Sequence, residues 1–158
     1  MSNSQPAISL TISGVSASGW FEYPVRVQPH HTDYAGIVWH GSYIAWMEEA
    51  RVEYLRSLGL EYADLVALGC DLPVVELSIR YHRPLKMGMT ALVKTCLAPL
   101  QGVRLEWDYK IESPDRQYLY LTSKVTLVPF DRSTGRIMRR LPPQLKDITK
   151  LWSDNFIT

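Results

Sequence analysis

Between His31 and Arg51 the chain reads HTDYAGIVWHGSYIAWMEEAR, and this stretch carries the residue types that acyl transfer needs. Asp33 offers a short acidic side chain in a turn, and Gly36 lets the backbone bend with no Cβ in the way. A helix expected to start near Ser42 would present N–H groups that have no acceptor within the helix. Hydrolysis of an acyl thioester requires a carboxylate to attack the carbonyl or activate water, and N–H donors where the oxyanion forms. One carboxylate beside an open helix N-terminus supplies both. The sequence does not choose between nucleophile and general base for Asp33, because both roles place a carboxylate at the carbonyl and differ only in whether an anhydride forms. The plain structural alternative is an Asp that only shapes its own turn, a common use of Asp ahead of Gly.

Other polar residues nearby carry weaker signals. His30, His31, Asp33 and His40 could suggest a metal site, but adjacent imidazoles seldom converge on one ion and no Cys or second carboxylate is close in sequence, so no metal is expected. Glu48 and Arg51 lie three residues apart on the expected helix and are read as a surface pair. Should Asp33 be idle, Glu48 or Glu49 is the next candidate base. Trp39, Tyr43, Trp46 and Tyr62 are candidates to shape an acyl or aryl pocket; Trp46 is expected in the core, while Tyr43 is divided between core and pocket.

These residues need elements to hold them. From Phe21 to Val27 apolar and polar residues alternate as in a strand, with Pro24 favouring an edge or the strand's start. From Ser42 to Leu58 the apolar residues Tyr43, Trp46, Met47, Ala50, Tyr54 and Leu58 recur at helical spacing, with Glu49, Glu53 and Arg56 opposite, and Gly59 ends the helix. A shorter helix is expected over Tyr62 to Leu68. The pattern then switches to period two: Val75, Leu77, Ile79 and Tyr81 make one face expected to be buried, Ala91 to Leu97 a further strand, and Val103 to Ile111 another. Ser113-Pro114-Asp115-Arg116 turns into a strand from Tyr118 to Val128, with Leu119, Leu121, Ser123, Val125 and Leu127 facing inward. After Gly135 come Arg136, Arg139, Arg140 and Pro142-Pro143, then a short helical segment before Trp152. The order implies an α+β fold in which one antiparallel sheet of about five strands wraps around one long central helix. Residues 1–18 read as a flexible polar arm, residues 19–150 as the folded domain and residues 151–158 as a tail.

Composition bounds the function. At 158 residues a single domain is expected, with enough surface to bury a core. A net charge of +1, from 17 basic and 16 acidic side chains, offers no field to attract nucleic acid or an anionic membrane, and a small polar-headed ligand fits better. No run reaches transmembrane length. Cys70 and Cys96 have no C-x-x-C spacing, which argues against zinc or a disulfide framework and for a reducing, cytoplasmic compartment. The N-terminus lacks the basic region of a signal peptide. A sheet with free edges in so small a chain is expected to assemble with copies of itself.

Asp33, Ala35, Gly36, Val38, Tyr43, Glu48, Ala50 and Arg51 match the signature of the 4-hydroxybenzoyl-CoA thioesterase family of hotdog-fold proteins, which the chain resembles over about residues 20–145. A weaker similarity runs through YHRPLKMGM from Tyr81 to Met89. The resemblance implies a hotdog fold, cleavage of an acyl- or aryl-CoA to free acid and CoA, and a homodimer or homotetramer with sites between subunits. It implies no cofactor, CoA entering only as part of the substrate. It makes Asp33 the nucleophile or base and the backbone N–H of His40 the oxyanion donor, with the His40 side chain a separate question. Trp39 and Tyr43 would meet the acyl group. Arg83 and Lys86, with Arg80, would meet the CoA phosphates; Arg136, Arg139 and Arg140 are the alternative set. The chain departs from its relatives at His31, where an acidic residue is frequent, and at Pro29, where some have Tyr. It also has LAPLQGVR, with Arg104 alone, where the hydroxybenzoyl-CoA enzyme has a basic turn. That last departure weakens the case for CoA and keeps open the rival reading, a thioesterase acting on an acyl carrier protein to release fatty acids. A non-catalytic acyl-binding module is the reading from another class, and Asp33 argues against it. Family membership leaves the acyl group undetermined.

Overall fold

The computed structural model describes residues 19–156, with side chains described up to residue 150; the expected arm at residues 1–18 lies outside the described residues. The chain runs β1 (Phe21–Arg26), a 3-10 turn (Pro29–His31), α1 (His40–Ser57), α2 (Tyr62–Ala67), β2 (Cys70–Asp71), β3 (Val74–Tyr81) and β4 (Thr90–Leu97). It continues through β5 (Leu105–Glu112), β6 (Leu119–Leu127), β7 (Phe130–Asp131), β8 (Arg136–Ile137) and α3 (Pro143–Phe156). β1-β4-β5-β6-β3 form one antiparallel five-stranded sheet, and β2-β7-β8 a small second one. A five-stranded antiparallel sheet with the long helix α1 packed against it is the α+β hotdog architecture the pattern implied.

The apolar stripe of α1 is what the sheet covers. Tyr43, Trp46, Met47, Ala50 and Tyr54 are all buried, and on β5 the alternation buries Leu105, Trp107, Tyr109 and Ile111. Tyr54 meets Trp107 edge-on at 5.5 Å and Phe21 at 5.3 Å, so β1, α1 and β5 share one aromatic contact. Truncating Trp107 to Ala would cost about 3–5 kcal/mol, the usual penalty for emptying such a core site. At its far end α1 closes with two reversed bonds, Gly59 N–H to Arg56 O and Leu60 N–H to Leu55 O, each 3.0 Å. Gly59 has φ +86°, the left-handed conformation that this closure needs.

Four expectations are corrected. α1 begins at His40, not near Ser42, because Trp39 is the last extended residue (φ −86°, ψ 157°). Arg51 is not on the surface beside Glu48: it is buried, donating through its guanidinium to Tyr109 Oη at 2.9 Å and Tyr62 Oη at 3.4 Å. Tyr109 Oη in turn donates to Met47 O at 3.0 Å, so the cation stitches α1 to the sheet. Burial alone would lower the Arg51 pKa, but the electron-rich phenols of Tyr109 and Tyr62 overcompensate and raise it. The face of β3 expected to be buried is largely open, with Val75 at 51%, Leu77 at 39% and Tyr81 at 52% exposure, because β3 is the outermost strand of the sheet; Ile79 is half-buried against the core and the Tyr81 ring meets Tyr43. The last helix is longer than expected, running through Trp152 to Phe156, and the short strands β2, β7 and β8 were not anticipated.

Candidate active site

The Asp33 loop is a short hairpin closed on itself. Thr32 pairs with Val38, and Asp33 N–H donates to Ile37 O at 2.8 Å. Asp33 Oδ1 accepts the N–H groups of Ala35 at 2.9 Å and Ile37 at 3.1 Å, so one carboxylate oxygen is fixed by the turn it forms. Gly36, with φ +75°, makes the bend and donates to Asp33 O at 3.1 Å. The carboxylate itself is exposed.

Three contacts brace this hairpin against the segment before β4: Val38 N–H to Leu85 O at 2.9 Å, Met87 N–H to Gly36 O at 3.0 Å, and an isolated bridge between Ile37 and Lys86. On its other side the hairpin is tied to the start of α1. The carbonyl of His31 accepts both Ser42 Oγ at 2.8 Å and Trp39 N–H at 3.3 Å. The His31 ring accepts Gln28 N–H through Nδ1 at 2.9 Å, which assigns the proton of the neutral ring to Nε2. Its pKa is lowered, first by burial and then by the neighbouring His30 ring, against a smaller opposing pull from Glu49. Ser42 was missed in the sequence; a hydroxyl in the first turn of a helix was the available signal, but its acceptor lies eleven residues back and only the fold reveals it.

The first turn of α1 has no side-chain cap. Ser42 N–H donates to Trp39 O at 3.0 Å, while no acceptor among the described residues serves the N–H groups of His40 and Gly41. These donors carry the positive end of the helix dipole and favour a negative oxygen. The pairing of residues 31 and 39 across the hairpin sets His40 about 7–10 Å from Asp33 along the strand direction, at 3.3 Å per residue.

The other expected site residues divide. His40 is exposed, and Trp39 is 46% exposed with its ring edge-on to His40 at 5.1 Å. Tyr43 is corrected to the core: it is 3% exposed, packs on Trp46 at 5.7 Å and Tyr81 at 5.6 Å, and burial pushes its pKa up to about 12. Lys86 stands beside the Asp33 hairpin, whereas Arg83 lies over the ring of Tyr118 at 4.7 Å. Arg139 and Arg140 are elsewhere, on a groove of about 880 Å³ beyond the far end of β4, shared with Leu100, Leu141, Lys146 and Lys150. Glu49 accepts Tyr23 Oη at 2.9 Å, which raises the Tyr23 pKa behind the larger effect of burial. His30, His31, Asp33 and His40 do not converge; among the described residues no group of three or more His, Cys, Asp or Glu is placed to hold a metal ion. No helix among them is long and apolar enough to cross a membrane.

A five-stranded antiparallel sheet wrapped on one long helix is the fold of the hotdog thioesterases, and the chain matches the thioesterase-like superfamily over residues 27–149 and belongs to it. It is 56% identical to sll0410 of Synechocystis sp., a protein provisionally described as an esterase, over 81% of this chain and 77% of that one. It is 29% identical to the acyl-CoA thioester hydrolase YbgC of Escherichia coli O157:H7 over 63% of this chain and 74% of YbgC. Among solved structures, the DHNA-CoA thioesterase of Staphylococcus aureus is similar at 25% identity and a TM-score of 0.76, covering 88% of this chain and 97% of that one. The protein is therefore a thioester hydrolase.

Proposed function

We propose that the enzyme hydrolyses an acyl- or aryl-CoA to the free acid and CoA, with Asp33 as the reacting carboxylate and the backbone N–H of His40 as the oxyanion donor. One observation carries this reading: Asp33 Oδ1 is held by two backbone N–H groups beside a helix start that has unused donors. As a base, Asp33 takes a proton from water while the water oxygen bonds to the carbonyl carbon; the oxyanion is held at α1, the C–S bond breaks, and the thiolate leaves and is protonated. As a nucleophile, Asp33 forms an anhydride with loss of the thiolate, and water then cleaves the anhydride. Neither route calls on a metal or redox cofactor. Lys86, beside the hairpin, and Arg83 are the cations proposed for the CoA phosphates, and Trp39 the wall that meets the acyl group.

The proposed active unit is at least a dimer. Val75, Leu77 and Tyr81 on the outer strand β3 are too apolar to leave in water along an unpaired edge, and a second copy would cover them. The compartment proposed is a reducing, cytoplasmic one, in keeping with two free cysteines; burial pushes the Cys96 thiol up to about 12, which keeps it protonated and unreactive. The second reading, an acyl carrier protein as the thiol carrier, is favoured by the basic groove of Arg139, Arg140, Lys146 and Lys150. Thiol release measured across a panel of acyl-CoA and acyl-carrier substrates tests both. CoA thioesters should turn over with weak salt dependence, whereas a carrier docked through several charges should lose rate steeply as salt rises.

A further inference from the structure

Gly41 sits in the second position of α1 with no turn to justify it. Turn glycines such as Gly36 and Gly59 have positive φ and open space where a Cβ would go. Gly41 has neither feature. An ideal Cβ there would lie 2.2, 2.5 and 2.7 Å from Cη2, Cζ3 and Cζ2 of Trp39, against the outer end of the indole and closer than a Cβ can come. Glycine is the poorest helix former after proline, so its presence in the first turn opposes the helix and serves something else. What it serves is visible: the missing Cβ lets the indole of the residue before the helix fold forward across the first turn. The ring thereby rests on Gly41 and, at 46% exposure of Trp39, keeps a substantial surface toward solvent, at the end of α1 where the His40 and Gly41 N–H groups have no acceptor among the described residues.

We propose that Gly41 is a specificity-determining residue: by seating the Trp39 indole across the first turn of α1, it sets a flat aromatic wall beside the thioester carbonyl that selects planar, conjugated acyl groups over puckered ones of equal carbon count. The inference rests on the assignment of the α1 N-terminus as the carbonyl-binding end. A planar acyl group lies against the full face of the indole, whereas a saturated ring touches it only through its projecting hydrogens. The gain from aromatic stacking corresponds to about two- to tenfold in rate.

The test compares benzoyl-CoA with cyclohexanecarbonyl-CoA, which share a carbon count and a carrier. kcat/KM is measured by thiol release for wild type, Gly41→Ala and Trp39→Leu, with folding checked by circular dichroism. The wild type should favour benzoyl-CoA about two- to tenfold. Both variants should bring the ratio close to one, the benzoyl-CoA rate falling further than the cyclohexanecarbonyl-CoA rate. Wild-type enzyme that cleaves the two thioesters equally, or cleaves neither, overturns the proposal. So does a Gly41→Ala variant that keeps the ratio, or that lowers both rates alike, which would leave Gly41 only a role in the turn. Failure of the carbonyl-binding assignment is separable: it would show as undiminished turnover in His40→Pro, whatever the ratio.

Discussion

Replacing Asp33 by Asn removes the charge and keeps the shape, and the hairpin geometry sets what each change should cost. The amide oxygen of Asn can still accept from the N–H groups of Ala35 and Ile37, the two bonds that Oδ1 makes now. Converting two charge-assisted bonds to neutral ones costs about 1–2 kcal/mol in all, and competition from water at this exposed residue holds the loss to the lower part of that range. In a chain of this size the melting point should fall by no more than about 8 °C. The chemistry should suffer far more. Loss of a positioned base lowers the rate by about 10² to 10⁴, equivalent to about 3–5 kcal/mol on the barrier, and loss of a nucleophile at least as much. Asp33→Ala is the companion: it should match Asn in turnover but melt lower, because no acceptor is left for the two N–H groups. Thiol release at saturating acyl-CoA and thermal melts on the same preparations give both quantities. A folded Asn variant with more than about a tenth of wild-type turnover would remove Asp33 from the mechanism, and Glu48→Gln and Glu49→Gln would then be the variants to examine.

If the backbone N–H at position 40 is the oxyanion donor, His40→Ala should keep much of the rate, while His40→Pro, which deletes that N–H, should lower kcat by about 10² to 10³; a large loss in the Ala variant with a changed pH–rate profile would move the role to the imidazole. Light scattering at micromolar concentration should report at least a dimer, and Leu77→Asp on the open face of β3 should shift it toward monomer; an active wild-type monomer would contradict the assembly. Tyr109→Phe leaves the buried guanidinium of Arg51 short of an acceptor and frees the carbonyl of Met47, and should cost about 1–3 kcal/mol of stability by denaturant titration; an unchanged midpoint would show that Arg51 has another partner.

Periodicity alone determined the frame of this protein. Helical spacing of Tyr43, Trp46, Met47, Ala50 and Tyr54 and the alternation from Leu105 to Ile111 each bury one face, and only a sheet packed on a helix satisfies both, so these elements were legible without coordinates. The turn at Asp33 and the helix that follows it were legible too, because turn residues and a helix start act over a few neighbours. What the sequence could not determine is where a face points once the strand order is set. Val75, Leu77, Ile79 and Tyr81 alternate like a buried strand, yet β3 lands at the edge of the sheet and, Ile79 apart, its apolar side stays largely open. Arg51 reads as a surface partner of Glu48, and instead its guanidinium reaches phenols 11 and 58 residues away. The bond from Ser42 to the carbonyl of His31, the seat of the Trp39 indole over Gly41 and the burial of Tyr43 are likewise contacts in space. Local pattern fixes which residues want to leave water; only the packed fold decides which of them find cover, and which donors at the start of α1 find no acceptor among the described residues.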